Sequence, residues 1–257
     1  MRHALALTTL TAAIVGLGLV AARTSAGENQ WGTIKGQVVY DGSPPAPAEL
    51  KVDKDQEHCL SKGKILDETW VVSKSGGIKN VFVWLGPISK DGSLPIHPDL
   101  VAIKQETVEI DQPCCAFIPH ALAVREGQTL VVKNSSPIPH NFNYSGSPKR
   151  NPGANFQLPA GTARNVVDLK ADRLPLNVSC NIHPWMKAVI RVYDHPYYAL
   201  TDAEGKFEIK NAPVGQFKLF VWHEGAGWLG GAAGKNGQDI TIKAGVNDLG
   251  QFKLKAE

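Results

Sequence analysis

Methionine is nearly missing from this 257-residue chain: apart from Met1 there is only Met186. Methionine ordinarily serves as an adaptable filler of cores, so a single internal one, set in a short turn, points to a particular use. Cysteine is scarce as well. Of the four, none lies in a C-x-x-C-H arrangement, which excludes covalent attachment of a c-type haem. Blocks of like charge and a basic stripe are absent, and 27 basic against 24 acidic residues give no footprint for nucleic acid or an anionic membrane as partner. No amphipathic run of helical period reaches a convincing length, and no internal repeat recurs. Neither a Ser-His-Asp set nor a pair of carboxylates stands out from scattered surface residues, so the chain is expected not to be an enzyme.

What is present in quantity is punctuation. The 25 glycines and 17 prolines divide the chain into short stretches where apolar and polar residues largely alternate, such as Thr33 to Tyr40 and Lys187 to Tyr193. That pattern predicts an all-β protein. Residues 1–26 carry Arg2 and His3, an apolar stretch from Ala4 to Ala22 broken by Thr8, Thr9 and Thr11, and then Thr24-Ser25-Ala26, the small-residue pattern of a signal-peptidase site. The apolar core falls short of the ~20 residues a spanning helix needs. The expectation is a cleavable signal, a periplasmic or otherwise exported protein, and no membrane span after cleavage. Cleavage removes two basic residues and no acidic one, which lowers the formal charge from +3 to about +1.

The run Cys180-Asn181-Ile182-His183-Pro184-Trp185-Met186 places a thiolate, an imidazole and a thioether on one turn. Those are soft-metal ligands. A His₂Cys trigonal site with a long axial Met is the signature of blue-copper electron-transfer centres. The second histidine is expected from a distant strand, and Ile138-Pro139-His140-Asn141-Phe142 offers it. The predicted metal ligands are therefore His140, Cys180 and His183 in the equatorial plane and Met186 axially, for one copper ion. Structural zinc prefers four Cys or His ligands and does not recruit methionine. Copper storage or delivery is an alternative, but the Met-rich or His-rich tracts it would use are absent.

The run Cys180-x-x-His183-Pro184-x-Met186 resembles the copper loop of amicyanin-type cupredoxins. Gly127-x-Thr129-x-Val131-Val132-x-Asn134, leading to Pro139-His140-Asn141, is similar to the upstream half of the same motif. The resemblance implies a Greek-key cupredoxin sandwich over residues 104–194. It also implies that Asn141 pins the cysteine loop, with Asn181 beside it in the second layer around the metal. It implies further that the His183 ring edge is exposed as an electron port, with Pro139, Pro184 and Trp185 forming an apolar docking rim. The implied activity is one-electron shuttling between redox partners, a c-type cytochrome or an oxidoreductase. Trp185 replaces a Phe of that loop, and Asn181 stands where a small hydroxyl residue is common.

Flanking sequence resembles a second family. Thr201 to Ile209 and Pro213 to Leu219 look like a hairpin of the carboxypeptidase-regulatory-like, transthyretin-type sandwich, which opens with strands like Gly32 to Val38 and Asn80 to Leu85. Residues 30–103 with 195–257 are accordingly expected to form one discontinuous sandwich into which the copper domain is inserted. A carbohydrate- or protein-interaction module with an accessory copper site is the alternative this half raises. With Cys180 reserved for copper, Cys59 pairs with Cys114 or Cys115. Adjacent strand residues face opposite ways, so one of the two suits, and Cys59 with Cys115 is the expected pair.

Overall fold

The computed structural model describes Met1, residues 31–103 and residues 105–256. Apart from Met1, the export signal read over residues 1–26 lies outside the described residues. The protein is all-β. Its strands are β1 (Trp31–Tyr40), β2 (Phe82–Gly86), β3 (Thr107–Ile110), β4 (Ala121–Arg125), β5 (Thr129–Asn134), β6 (His140–Ser145), β7 (Ala154–Leu158) and β8 (Thr162–Val166). They continue with β9 (Leu176–Ser179), β10 (Lys187–Tyr193), β11 (Tyr198–Leu200), β12 (Lys206–Pro213), β13 (Gly215–His223), β14 (Gly227–Trp228), β15 (Gln238–Ile242) and β16 (Gly245–Leu254). A one-turn helix, α1 (Gln56–Cys59), lies in the long segment between β1 and β2.

Four sheets assemble as two sandwiches. Among the described residues β3 to β10 pair only with one another, in the orders β4-β10-β9-β6-β7 and β3-β5-β8. The strands before and after them form β12-β1-β16 and β11-β2-β13-β14, with β15 also on β13. Period-2 alternation explains which side chains fill each core. Val108 and Ile110 of β3 and Leu130 and Val132 of β5 point into the first. Phe207 and Ile209 of β12 and Phe217, Leu219 and Val221 of β13 point into the second. Strand β2 is apolar throughout because it serves two cores. Val83 and Leu85 face the second sandwich, while Phe82 and Trp84 face Ala121, Val189 and Tyr193 of the first.

Two expectations are corrected, and one further strand is found. Strands β12 and β13 do not form a hairpin: β12 pairs with β1, whereas β13 pairs with β2. The chain turns from one sheet to the other through Val214 and Gly215, whose φ of 139° is open to glycine. The Gly/Pro/Asn-rich stretch from Ser145 to Gly161 contains a strand, β7, which pairs with β6 over His140 to Tyr144. Lastly, residues 30–103 do not all belong to the second sandwich. Val52 and Cys59 are buried in the first core, and Ile65 packs against it.

Two buried histidines make stability depend on pH. His223 is fully buried, packs against Trp70 with tilted rings 4.3 Å apart, and is pushed down to about 4 by burial and by nearby His120. His195, its side chain 12 % exposed, is lowered to about 4 by burial. Between pH 4 and the ordinary 6.5 the unfolded chain binds protons that the folded chain does not, so stability falls as pH drops through that window. His120 acts in the opposite sense: burial opposes its charge, but the hydrogen bond and charge of Glu224 outweigh it and raise its pKa. Each proton gained on unfolding weakens the fold by about 1.4 kcal/mol per pH unit. Metal-free protein is therefore expected to unfold at lower urea concentration at pH 5 than at pH 7. A midpoint that did not move would show these rings to be accessible to protons in the folded state.

Candidate metal centre

Strand pairing brings the two halves of the sequence motif together. Strands β6 and β9 run antiparallel with Asn143 opposite Ser179, so Cys180, one residue beyond β9, lands beside Asn141 and Phe142. The turn that follows is closed by its own backbone. Met186 N donates to His183 O at 2.9 Å and Cys180 N to Met186 O at 3.3 Å, after which β10 begins. Asn141 fixes the turn from outside. Its Oδ1 accepts from the backbone N–H of Asn181 and of Ile182, the latter at 3.2 Å, while its Nδ2 donates to Asn155 Oδ1 of β7 at 2.7 Å. Asn181 itself is exposed and accepts from Asn143 Nδ2 at 3.2 Å.

His140, Cys180 and His183 converge. His140 Nδ1 lies 2.9 Å from His183 Nδ1, and Cys180 Sγ lies 4.0 Å from the first and 3.8 Å from the second. All three are buried, at 0, 1 and 0 % exposure. Such separations are spanned by metal–nitrogen and metal–sulfur bonds of about 2.0–2.3 Å meeting at one point. Met186, 2 % exposed, is buried in the same apolar core as Cys180. Backbone N–H of Asn141 points at Cys180 Sγ at 3.5 Å, the hydrogen bond that suits a thiolate ligand. Burial, then the neighbouring His183 and His58, push His140 down to about 4. Burial lowers His183 too, against the pull of Asp55. Both imidazoles are neutral at pH 7 and present lone pairs. These are donors that a soft or borderline metal ion requires deprotonated, and the set fits copper.

The expected electron port is corrected by the structure. His183 has no exposed edge: its Nε2 meets Asp55 Oδ2 at 2.8 Å. Asp55 precedes α1, and that segment is fastened across the site by a disulfide between Cys59 and Cys115, whose sulfurs lie within 4.8 Å of a His183 ring nitrogen. Trp185 is half-buried, packs on the first core, and donates from Nε1 to Cys115 O at 3.2 Å. Only Pro139 and Pro184 of the expected rim are exposed. Cys114 is free. Sequence reasoning missed Asp55, which lies 128 residues from its partner. The one available signal was Cys59, four residues on, which carries Asp55 to the site once it pairs with Cys115.

No protein-family profile and no curated protein matches the chain. Solved structures do. A purple cupredoxin from Nitrosopumilus maritimus is 19% identical over 34% of this chain and 99% of its own, with a TM-score of 0.28. A reduced amicyanin variant is 18% identical over 43% of this chain and 98% of its own, TM-score 0.31. A copper-containing nitrite reductase from Thermus scotoductus SA-01 is 22% identical over 39% of this chain and 27% of its own, TM-score 0.31.

Proposed function

We propose that this chain is an exported, mononuclear blue-copper protein of cupredoxin type, a carrier of single electrons and not an enzyme. The observation that carries the reading is the buried convergence of His140 Nδ1, His183 Nδ1 and Cys180 Sγ. A copper ion held there supplies a one-electron Cu(I)/Cu(II) couple. The chain's own residues do the rest. Two imidazoles and one thiolate would offer nitrogen for the oxidised state and sulfur for the reduced one, and Met186 would complete the set with a thioether. Phe142 and the surrounding core exclude water. Asn141 and the β6–β9 pairing hold the donors in place, so little rearranges when charge changes. Among the described residues, Asp55 and the disulfide cover His183.

The partner in this reading is a redox protein, a c-type cytochrome or an oxidoreductase, which takes or gives the electron across the Asp55–α1 cover and the exposed Pro139 and Pro184. A mature charge near +1 gives little long-range steering, so the transfer rate should depend weakly on salt. Titration of metal-free protein with Cu(II) tests the assignment. It is expected to saturate at one equivalent with an intense visible thiolate-to-copper band. A colourless complex with ordinary tetragonal paramagnetic resonance would overturn it.

Met186 gives a finer test. Met186→Leu conserves volume in a buried position and costs less than about 1.5 kcal/mol, so it is expected to retain copper and colour. Because the axial ligand tunes the potential, Met186→Leu should raise it and Met186→Gln should lower it, as read by voltammetry. Equal potentials in both variants and the parent would make Met186 a core residue alone.

A further inference from the structure

The two sandwiches meet across a cleft of about 800 Å³, on a different side of β10 from the metal turn, and its wall carries a buried cation whose donors are not all used. Arg191 of β10 is 1 % exposed. Its guanidinium carbon lies 4.2 Å from the centre of the Trp84 ring, 5.4 Å from Trp222 and 5.7 Å from Trp228. These rings answer the positive charge. They do not answer the N–H groups: Nη2 donates to Arg173 O at 2.9 Å, while Nε and Nη1 have no acceptor among the described residues. Two residues along the same strand, and so on the same face, the buried hydroxyl of Tyr193 has the Arg191 guanidinium beside it and no acceptor for its own proton among the described residues. Burial holds that phenol well above its ordinary range, so it stays protonated and able to donate at neutral pH. Buried donors left without acceptors are rare in native proteins and call for an explanation.

The rest of the wall narrows the chemistry. Lys90, Arg150, Arg173 and Lys235 add positive charge against the exposed Asp194, while Lys218 is already paired with Asp239 and Asp172 already accepts from Ser147. Arg173 Nη2 donates to Lys235 O at 2.8 Å, a bond that joins the two sides of the cleft and fixes its width. Trp84 is already engaged by Arg191 and by Phe220, stacked at 5.2 Å. The apolar wall open to a ligand is therefore half-buried Trp228 with Phe220 and exposed Ile88. Donors at one end and aromatic faces along the side suit a planar anion better than a compact one such as phosphate.

We propose that this cleft binds a small aromatic carboxylate, its oxygens accepting from Arg191 and Tyr193 and its ring lying against Trp228 and Phe220. The site is independent of the copper turn and does not rest on the electron-transfer reading.

The test is calorimetric titration of the copper-loaded full chain with benzoate. Saturable one-to-one binding with Kd of about 1 mM or tighter is expected, with cyclohexanecarboxylate and inorganic phosphate at least about tenfold weaker. Arg191→Gln should abolish binding. Since that variant removes a buried cation and can fail to fold, Tyr193→Phe and Trp228→Ala provide the second arm, each weakening benzoate about tenfold. Absence of saturation by benzoate, equal binding of phosphate, or unchanged affinity in Trp228→Ala and Tyr193→Phe would each overturn the proposal.

Discussion

Replacing Cys180 by serine is expected to erase the visible band formed with Cu(II) completely while leaving the protein folded. The colour arises from charge transfer out of the thiolate, and a hydroxyl has no orbital of comparable energy to offer. Folding survives because the exchange is nearly isosteric and the new hydroxyl finds partners in place. Asn141 N–H already points at Sγ at 3.5 Å, and Asn141 Oδ1 lies 3.3 Å from it. Burying a hydroxyl that is hydrogen-bonded costs about 1–2 kcal/mol at most. Absorbance after Cu(II) addition, with circular dichroism for the fold, reads both halves. A band that persisted in Cys180→Ser would remove sulfur from the ligand set.

Removing the Cys59–Cys115 disulfide with a Cys59→Ala/Cys115→Ala pair is expected to destabilise the protein by about 4 kcal/mol, because loop-closure entropy returns to the unfolded chain for a sequence separation of 56. The consequence extends to the site. The disulfide holds α1 and Asp55 over His183, and without it Val52, Ile65 and the Asp55–His183 contact still tie that cover to the first core. Urea unfolding measures the first effect. The rate of oxidation by a small outer-sphere reagent measures the second, and it should rise as the His183 ring becomes reachable. A loss below about 1 kcal/mol would mean that packing of the segment, and not the cross-link, keeps the site covered.

Most of the strands were legible because their side chains alternate. Strand β10 keeps the bounds Lys187 to Tyr193 that its pattern predicts, and β1 contains the alternating run from Thr33 to Tyr40. Strand β7 was hidden because Ala154 to Leu158 is mostly exposed and lacks an apolar rhythm; its pairing with β6 defines it. The apparent C-terminal hairpin failed for a related reason. A short link between two alternating runs looks the same whether the strands share a sheet or face each other across a core.

By itself the sequence determined the candidate donor set. Cys180, His183 and Met186 sit within seven residues, and the motif leading to His140 is local as well, so the chemistry is written in short-range order. Only the tertiary structure decided what covers that chemistry and what lies behind it. Asp55 reaches His183 from 128 residues away, and Arg191 meets Trp84, Trp222 and Trp228 from the other sandwich. Neither meeting has a spacing rule, because each depends on how two independently patterned sheets are placed by packing, and packing acts between residues whose separation along the chain carries no physical information.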